Sequence, residues 1–488
     1  MDRMCVASLA LSLLFVTRDM PLGAEDQPLR PAQQSSLMEV DRLAESIKSV
    51  NQSLWKLAEV GLQEHQSSKL LVDKLRDAGF DVKTGISGMP TAFVASFGSG
   101  KPVIGILAEY DALPGMSQKV APQREPEQEG APGHACGHSG LGSGALGAAI
   151  AVKVAMEKHG LKGTIRLYGT PAEETVIGKV YMTLDDQFND LDVCLHWHPA
   201  NKNEAWAGSS KALVSAKFTF HGTPSHASVS PDSGRSALDA VELMNVGANY
   251  LREHLKEDAR THYVIVDGGG QPNVVPPTAT VWYFVRANKH QDVEYNFRWL
   301  QEIAKGAAMM TRTTMSMQID TDCHEIIPNA VLADRITRNL ERVGAPSFTE
   351  EESAFASRLQ APLREEFGTQ FTMALDDRIH RSTSSASLSK GSTDVGDISW
   401  RVPTGGLHTT CLMAESPGHS WQNVATIGSS IGEKGIIYAA KVLAVTALDL
   451  FEDPQLISTA RADWESQMKG RKYFTFIPDG QPPPAKIR

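Results

Sequence analysis

Cysteine is scarce: Cys5, Cys136, Cys194, Cys323 and Cys411 are all there are in 488 residues, an odd number at wide spacing. Such a set describes no disulfide framework, so any cysteine that matters is core, nucleophile or metal ligand. Positive charge is short as well, with 47 Lys plus Arg against 57 Asp plus Glu, a formal net charge of -10 and no basic block or stripe. That lacks the electrostatic footprint of a nucleic-acid binder, and no nucleic-acid partner is expected. Long apolar runs are missing too. The run Cys5 to Val16 is 12 residues, short of the ~20 that cross a bilayer as a helix, and no later segment comes close, so no membrane span is expected. With Arg3 before it and Leu22-Gly23-Ala24 after it, residues 1–24 fit a secretory signal peptide. Export, periplasmic or secreted, is the expectation; a cytoplasmic chain with a frayed extension is the alternative.

What is present suits a chain of two or three domains with ample core. After a polar linker, Gln27 to Ser36, apolar residues recur at helical spacing from Leu37 to Leu57, and a second helical stretch ends at Ala78-Gly79. Strands at Ala92 to Phe97 and Val103 to Leu107 follow, then a helix from Gly144 to Met156 and strands at Thr164 to Tyr168 and Val193 to Leu195. Strand–helix alternation of this kind predicts an α/β catalytic domain with a mostly parallel sheet. From about Lys211 the texture changes. Val214 to Phe220 alternates like a half-exposed strand, a helix runs from Ala237 to His254, and strands lie near Val264 and Val281. This reads as an α+β unit inserted at 213–325, dividing the first domain into 25–212 and 326–475 and leaving a loose tail at 476–488.

The chemistry concentrates in loops at strand ends, where parallel sheets build their sites. Gly133-His134-Ala135-Cys136-Gly137-His138-Ser139 places a thiol and an imidazole two residues apart in a glycine-rich turn, so both can face one ion. Alone, this is equally a glycine-rich helix start. It is joined by Thr170-Pro171-Ala172-Glu173-Glu174, whose adjacent carboxylates can diverge on an irregular turn, one toward metal and one holding a proton. His196-Trp197-His198-Pro199 follows the next strand, and Ser416-Pro417-Gly418-His419 offers a last histidine.

In this order, DALP, GHACGH, PAEE, WHP, GTPSHAS, NVVP, STDVGD and PGHS, the motifs resemble the aminoacylase/carboxypeptidase family of dinuclear metallopeptidases. The Ala108 to Pro114 version is similar to the branch that hydrolyses p-aminobenzoyl-glutamate. The resemblance implies that the inserted unit is a lid and dimerisation domain. It implies Cys136 as a ligand shared between two divalent cations, zinc or manganese, with His138, Glu174, His198 and His419 completing the set. It makes Glu173 the general base and Asp111 an acid that orients a ligand. His196 and His198 are expected to face opposite sides of their strand, and counting six residues from Asp192 favours His198. His226 is implied as an oxyanion donor reaching the site from a partner subunit, and Asn273 as a substrate-binding residue. Thr393 is expected in the pocket wall.

The expected activity is hydrolysis of the amide bond of a small N-acyl amino acid such as p-aminobenzoyl-glutamate, by a homodimer that could also pair with a related subunit. Dipeptides or ordinary N-acyl amino acids are the runner-up substrates. A cysteine-nucleophile hydrolase would leave Glu173, Glu174 and His419 without a task, and a non-catalytic binder would need none of them.

Overall fold

The computed structural model describes residues 28–381 and 388–486, so the expected signal peptide lies outside the described residues. The first helix, Pro31–Leu57, begins earlier than its apolar pattern. Proline at the first helical position sacrifices no hydrogen bond, and the Arg30 N–H donates to Gln33 Oε1 at 2.9 Å. The expected linker is therefore largely helix, and its buried Gln33 donates to Asp449 Oδ1 at 2.7 Å.

Six strands follow in the first part of the chain: β1 (Asp81–Thr84), β2 (Phe93–Ser99), β3 (Val103–Ala108), β4 (Gly163–Gly169), β5 (Val193–Ala200) and β6 (Asn203–Trp206). The chain then builds a separate antiparallel sheet from β7 (Ala212–His221), β8 (Arg260–Asp267), β9 (Thr278–Ala287) and β10 (Thr314–Cys323), in the order β10-β7-β9-β8. Helices Ala237–Leu251 and His290–Thr311 pack on it. Two further strands, β11 (Ile379–His380) and β12 (Thr404–Thr410), return to the first sheet, whose order is β1-β2-β4-β3-β5-β12-β6-β11. Its centre, β4-β3-β5-β12, is parallel throughout. All four strands therefore end on one side of the sheet.

The helix His138–His159 packs with Pro31–Leu57 and Ser430–Glu452 against these central strands. Glycines let it come close. A Cβ at Gly142 would stand 2.8 Å from the Glu109 carbonyl oxygen, and one at Gly144 2.8 Å from the Trp197 ring. This helix corrects one expectation: by length and composition it is apolar enough to cross a membrane, yet 89% of its most apolar window is buried in the core. A helix apolar on every side is one enclosed on every side, and here protein does the enclosing.

The end of the chain is also tighter than expected. The Phe476 N–H donates to Asp322 Oδ2 at 2.6 Å, Ile477 is buried, and the Gln481 amide donates to Ile319 O at 2.8 Å and to the Tyr181 hydroxyl at 3.0 Å.

Candidate metal centre

Each central strand delivers part of one site at its carboxyl end. Strand β3 runs into Glu109-Tyr110-Asp111, β4 into the turn that holds Glu173 and Glu174, and β5 carries His196 midway and His198 toward its end. Cys136 and His138 flank Gly137, which takes φ +89°, and a Cβ there would stand 3.0 Å from Pro199. Only glycine fits both the backbone sign and the gap, so the turn brings thiol and imidazole together, the thiol bordering a cavity. That cavity measures about 330 Å³.

Three groups of donors meet there, two of them sharing a thiol and the third made of Glu109, His138 and Glu173. Cys136, His138 and His198 have ligand atoms within 4.8 Å of one another, as do Cys136, Glu174 and His419, so the thiol belongs to both. Within them Cys136 Sγ lies 3.4 Å from His198 Nε2, and His419 Nε2 lies 3.3 Å from Glu174 Oε2. Donors ~2.1 Å from a tetrahedral ion stand about 3.4 Å apart, so the spacing suits one. The outer nitrogens of the two strand- and helix-borne histidines are occupied. His138 Nδ1 pairs with Asp111 Oδ1 at 2.8 Å and His198 Nδ1 with the Pro199 carbonyl at 2.7 Å, which turns each Nε2 lone pair inward. His138 Nε2 and Glu174 Oε1 are buried without a hydrogen-bond partner among the described residues. Orphaned buried acceptors are costly unless something satisfies them, and a soft-and-hard S/N/O set satisfied by divalent cations fits these residues.

The electrostatics agree. Burial, then Glu109 and Asp394, push the Glu173 carboxyl well above its usual range. Burial lifts Glu174 to about 8, His138 working against it, and lifts the Cys136 thiol to about 12. His138 is raised although burial opposes it, because Cys136 and Asp111 favour its charged form. His198 is held down to about 4, chiefly by burial. So many buried acids around few cationic groups call for positive charge.

The turn carrying the two glutamates is strained. Ala172 (φ 56°) and Val176 (φ 51°) are both left-handed, at a cost of ~1–3 kcal/mol each for non-glycine residues. The Glu174 N–H donates to Asp111 Oδ2 at 2.9 Å, so Asp111 holds a histidine with one oxygen and this turn with the other.

His196 and His198 both border the cavity, correcting the expectation of opposite faces: residues two apart on a strand share a face. They differ in depth instead. The His196 ring packs on Trp206 at 5.0 Å and over Gly406, where a Cβ would stand 2.1 Å from its Nε2, while His198 meets Cys136. Thr393 lines the wall. His226 and Asn273 lie exposed on the second sheet's loops and border no part of the cavity within this chain. The Ala227 N–H donates to Asn273 O at 2.9 Å. His226 Nδ1 accepts from the Ser228 and Val229 N–H groups at 3.2 Å each, which places its proton on the outward Nε2.

Three neighbours, Glu109, Lys179 and Arg286, escaped sequence reasoning. Glu109 directs Oε2 at His138 Nε2, 3.2 Å away, and its Oε1 accepts from Lys179 Nζ at 2.8 Å. Lys179 is wholly buried and also reaches Asp394 Oδ1 at 2.6 Å. A lone lysine in the otherwise uncharged helix Gly178–Leu184 was the available signal. Arg286, on β9, enters the cavity with a buried Nε that has no hydrogen-bond partner among the described residues.

Two donor triads sharing one thiol, at the mouth of a parallel sheet beside a separate antiparallel unit, define a metal-dependent hydrolase of amide bonds. Residues 209–309 match the family model described as the peptidase dimerisation domain. The chain is 38% identical over 472 residues to a p-aminobenzoyl-glutamate hydrolase subunit of Escherichia coli K12, covering 91% of this chain and 97% of that one. It belongs to the M20 peptidase family. It is also 26% identical over 445 residues to the Xaa-Arg dipeptidase of Mus musculus, with 88% and 91% coverage. Its fold is shared with a dinuclear metal binding peptidase of the M20 family from Bacillus subtilis (16% identity, 84% and 99% coverage, TM-score 0.54).

Proposed function

We propose that this protein hydrolyses the amide bond of small N-acyl amino acids, with p-aminobenzoyl-glutamate the first to try, using two divalent cations on the triads that share Cys136. The observation that carries this reading is the shared thiol flanked by the inward His138 Nε2 and by Glu174 Oε1, neither of which makes a hydrogen bond among the described residues. Zinc or manganese held by these residues would supply Lewis acidity to the carbonyl and acidify water near neutral pH. Glu173 borders the cavity and belongs to neither triad that holds Cys136, grouping instead with Glu109 and His138, and as general base it takes a proton from the attacking water and returns it to the leaving nitrogen. Asp111 keeps His138 in the ligating tautomer. The unpartnered Nε of Arg286 supports recognition of a substrate carboxylate, as a glutamyl product offers.

The outward Nε2–H of His226 is suited to an oxyanion but stands outside this chain's own cavity, which supports donation from a second copy. Strand β8 is the outer edge of the second sheet, and its Val264, Ile265 and Val266 are exposed, a surface for that second copy or for a related subunit. The 26% identity to an Xaa-Arg dipeptidase supports dipeptides as the second reading. The N-terminal apolar segment supports export.

Hydrolysis of a panel of p-aminobenzoyl-glutamate, aliphatic N-acyl amino acids and Xaa-Arg dipeptides, with and without chelator, tests the reading. Release of free amino acid that stops on chelation and returns with zinc or manganese is expected. Chelator-resistant turnover would refute it in favour of a cysteine nucleophile.

A further inference from the structure

We infer that Glu64 is a positioning residue: it holds the strained turn that aims Glu173 and Glu174, a role that rests on the reading of Glu173 as the base. The turn from Pro171 to Ile177 has left-handed residues at both ends, Ala172 (φ 56°, ψ 41°) and Val176 (φ 51°, ψ 44°), and Val176 is β-branched. Side chains of that kind persist in this region only when the surroundings over-determine them. Here the surroundings come from three distant segments. Glu64 Oε1 accepts from the Ala172 N–H at 2.8 Å, Asp111 Oδ2 accepts from the Glu174 N–H at 2.9 Å, and the Thr321 hydroxyl donates to the Val176 carbonyl.

Glu64 is fully buried, and its second oxygen accepts from the Thr91 hydroxyl at 3.0 Å, so the carboxyl is fixed at both ends. It sits just before the helix His65–Asp77, and the same segment presses on the turn from below: a Cβ at Gly61 would stand 3.0 Å from Ala172 Cα. Without Glu64 the Ala172 N–H is an orphan in the core. The least costly repair is a return of Ala172 to negative φ, which rotates the next peptide and swings Glu173 off the water and Glu174 off its triad.

Two substitutions at Glu64 separate geometry from bulk. Gln keeps an acceptor for the Ala172 N–H and can donate to the Thr91 hydroxyl, so Glu64→Gln should stay within about threefold of wild-type kcat. Glu64→Leu keeps the volume and loses the acceptor; kcat should fall ~100-fold with KM nearly unchanged, the scale of an ångström-sized misplacement. Ion content after dialysis should also drop, because Glu174 is displaced. Ala172→Gly, which takes a left-handed conformation freely, should restore part of the loss in the Glu64→Leu background. A folded Glu64→Leu enzyme with wild-type kcat and ion content, or a Gln variant as impaired as Leu, overturns the inference. If Leu yields no soluble protein, Thr91→Val frees the far oxygen and is read the same way: kcat falls several-fold at constant KM, and an unchanged kcat overturns it. Glu173→Gln measured in parallel keeps the claims apart. Retained turnover there sinks the base assignment, whereas its loss beside a wild-type Glu64→Leu sinks only the positioning role.

Discussion

Removing the Lys179 charge, as Lys179→Met, strikes at the most enclosed ion cluster of the site. Nζ lies 2.8 Å from Glu109 Oε1 and 2.6 Å from Asp394 Oδ1, and the lysine and aspartate side chains are inaccessible to solvent. Methionine fills most of the stem's volume, so the loss is electrostatic rather than a cavity. Deleting one partner of a buried pair leaves an uncompensated charge at a cost of ~3–5 kcal/mol. Against a total of ~5–15 kcal/mol this is a large fraction, and at ~2–4 °C per kcal/mol or somewhat less for a chain this long it lowers Tm by roughly 5–15 °C. The penalty must depend on pH. Burial already raises Asp394 from 3.8 to about 7, with Lys179 opposing the rise. Its folded value lies above the unfolded one, so the folded state binds more protons between about pH 4 and 7, and stability falls as pH rises through that window. Without Lys179 the window extends upward, and the deficit of the variant should be smaller near pH 5 than near pH 8. Thermal unfolding of variant and wild type at the two pH values measures it. An unchanged Tm, or a deficit that shrinks as pH rises, would refute the reasoning.

Other expectations are checked more simply. Glu173→Gln should abolish turnover while keeping both ions, since Glu173 belongs to neither triad that shares Cys136; metal analysis showing loss of the ions would make it a ligand in the group it forms with Glu109 and His138. In the metal-loaded protein Cys136 should resist alkylation, and after chelation its labelling should rise steeply with pH, because burial then holds the thiol up to about 12. Rapid labelling of the loaded form at neutral pH would count against the shared-ligand role. Mixing His226→Ala with Glu173→Gln should recover up to about a quarter of wild-type sites by free reassortment of symmetric dimers. No recovery after confirmed subunit exchange would mean that His226 acts within its own chain or not at all.

The alternating and continuous apolar runs of β3, β4 and β5 were legible because those strands lie in the middle of a sheet, where burial dictates composition. Strand β12 was not, since its Thr404-Gly405-Gly406 start reads as a turn; Gly406 is there because the His196 ring occupies the space of its side chain. The helix starting at His138 was expected only from Gly144, as six residues with two glycines look like a loop until the Glu109 carbonyl and the Ile427 and Ile436 side chains are seen pressing on them. Among site residues the ligands were readable as motifs, each a rare residue type in a glycine- or proline-marked turn. Arg286 was not, because on an alternating strand such as β9 an arginine reads as solvent-facing, and only the placement of the second sheet brings it into the cavity.

The 473–481 segment makes the junction between the two units more than a pair of chain crossings. The crossings themselves are laced together, the Ser209 hydroxyl donating to Ile326 O and Ser210 Oγ accepting from the Ile326 N–H. A unit hung on two adjacent threads can swing like a door. Here the segment adds a third strut away from that hinge, bonding Asp322 and Ile319 of β10 on one side and Tyr181 and Asp397 of the catalytic unit on the other. Three points of attachment define a plane rather than an axis. The second sheet is thus braced like a tripod beside the catalytic unit, with Arg286 bordering the cavity between the glutamates and histidines.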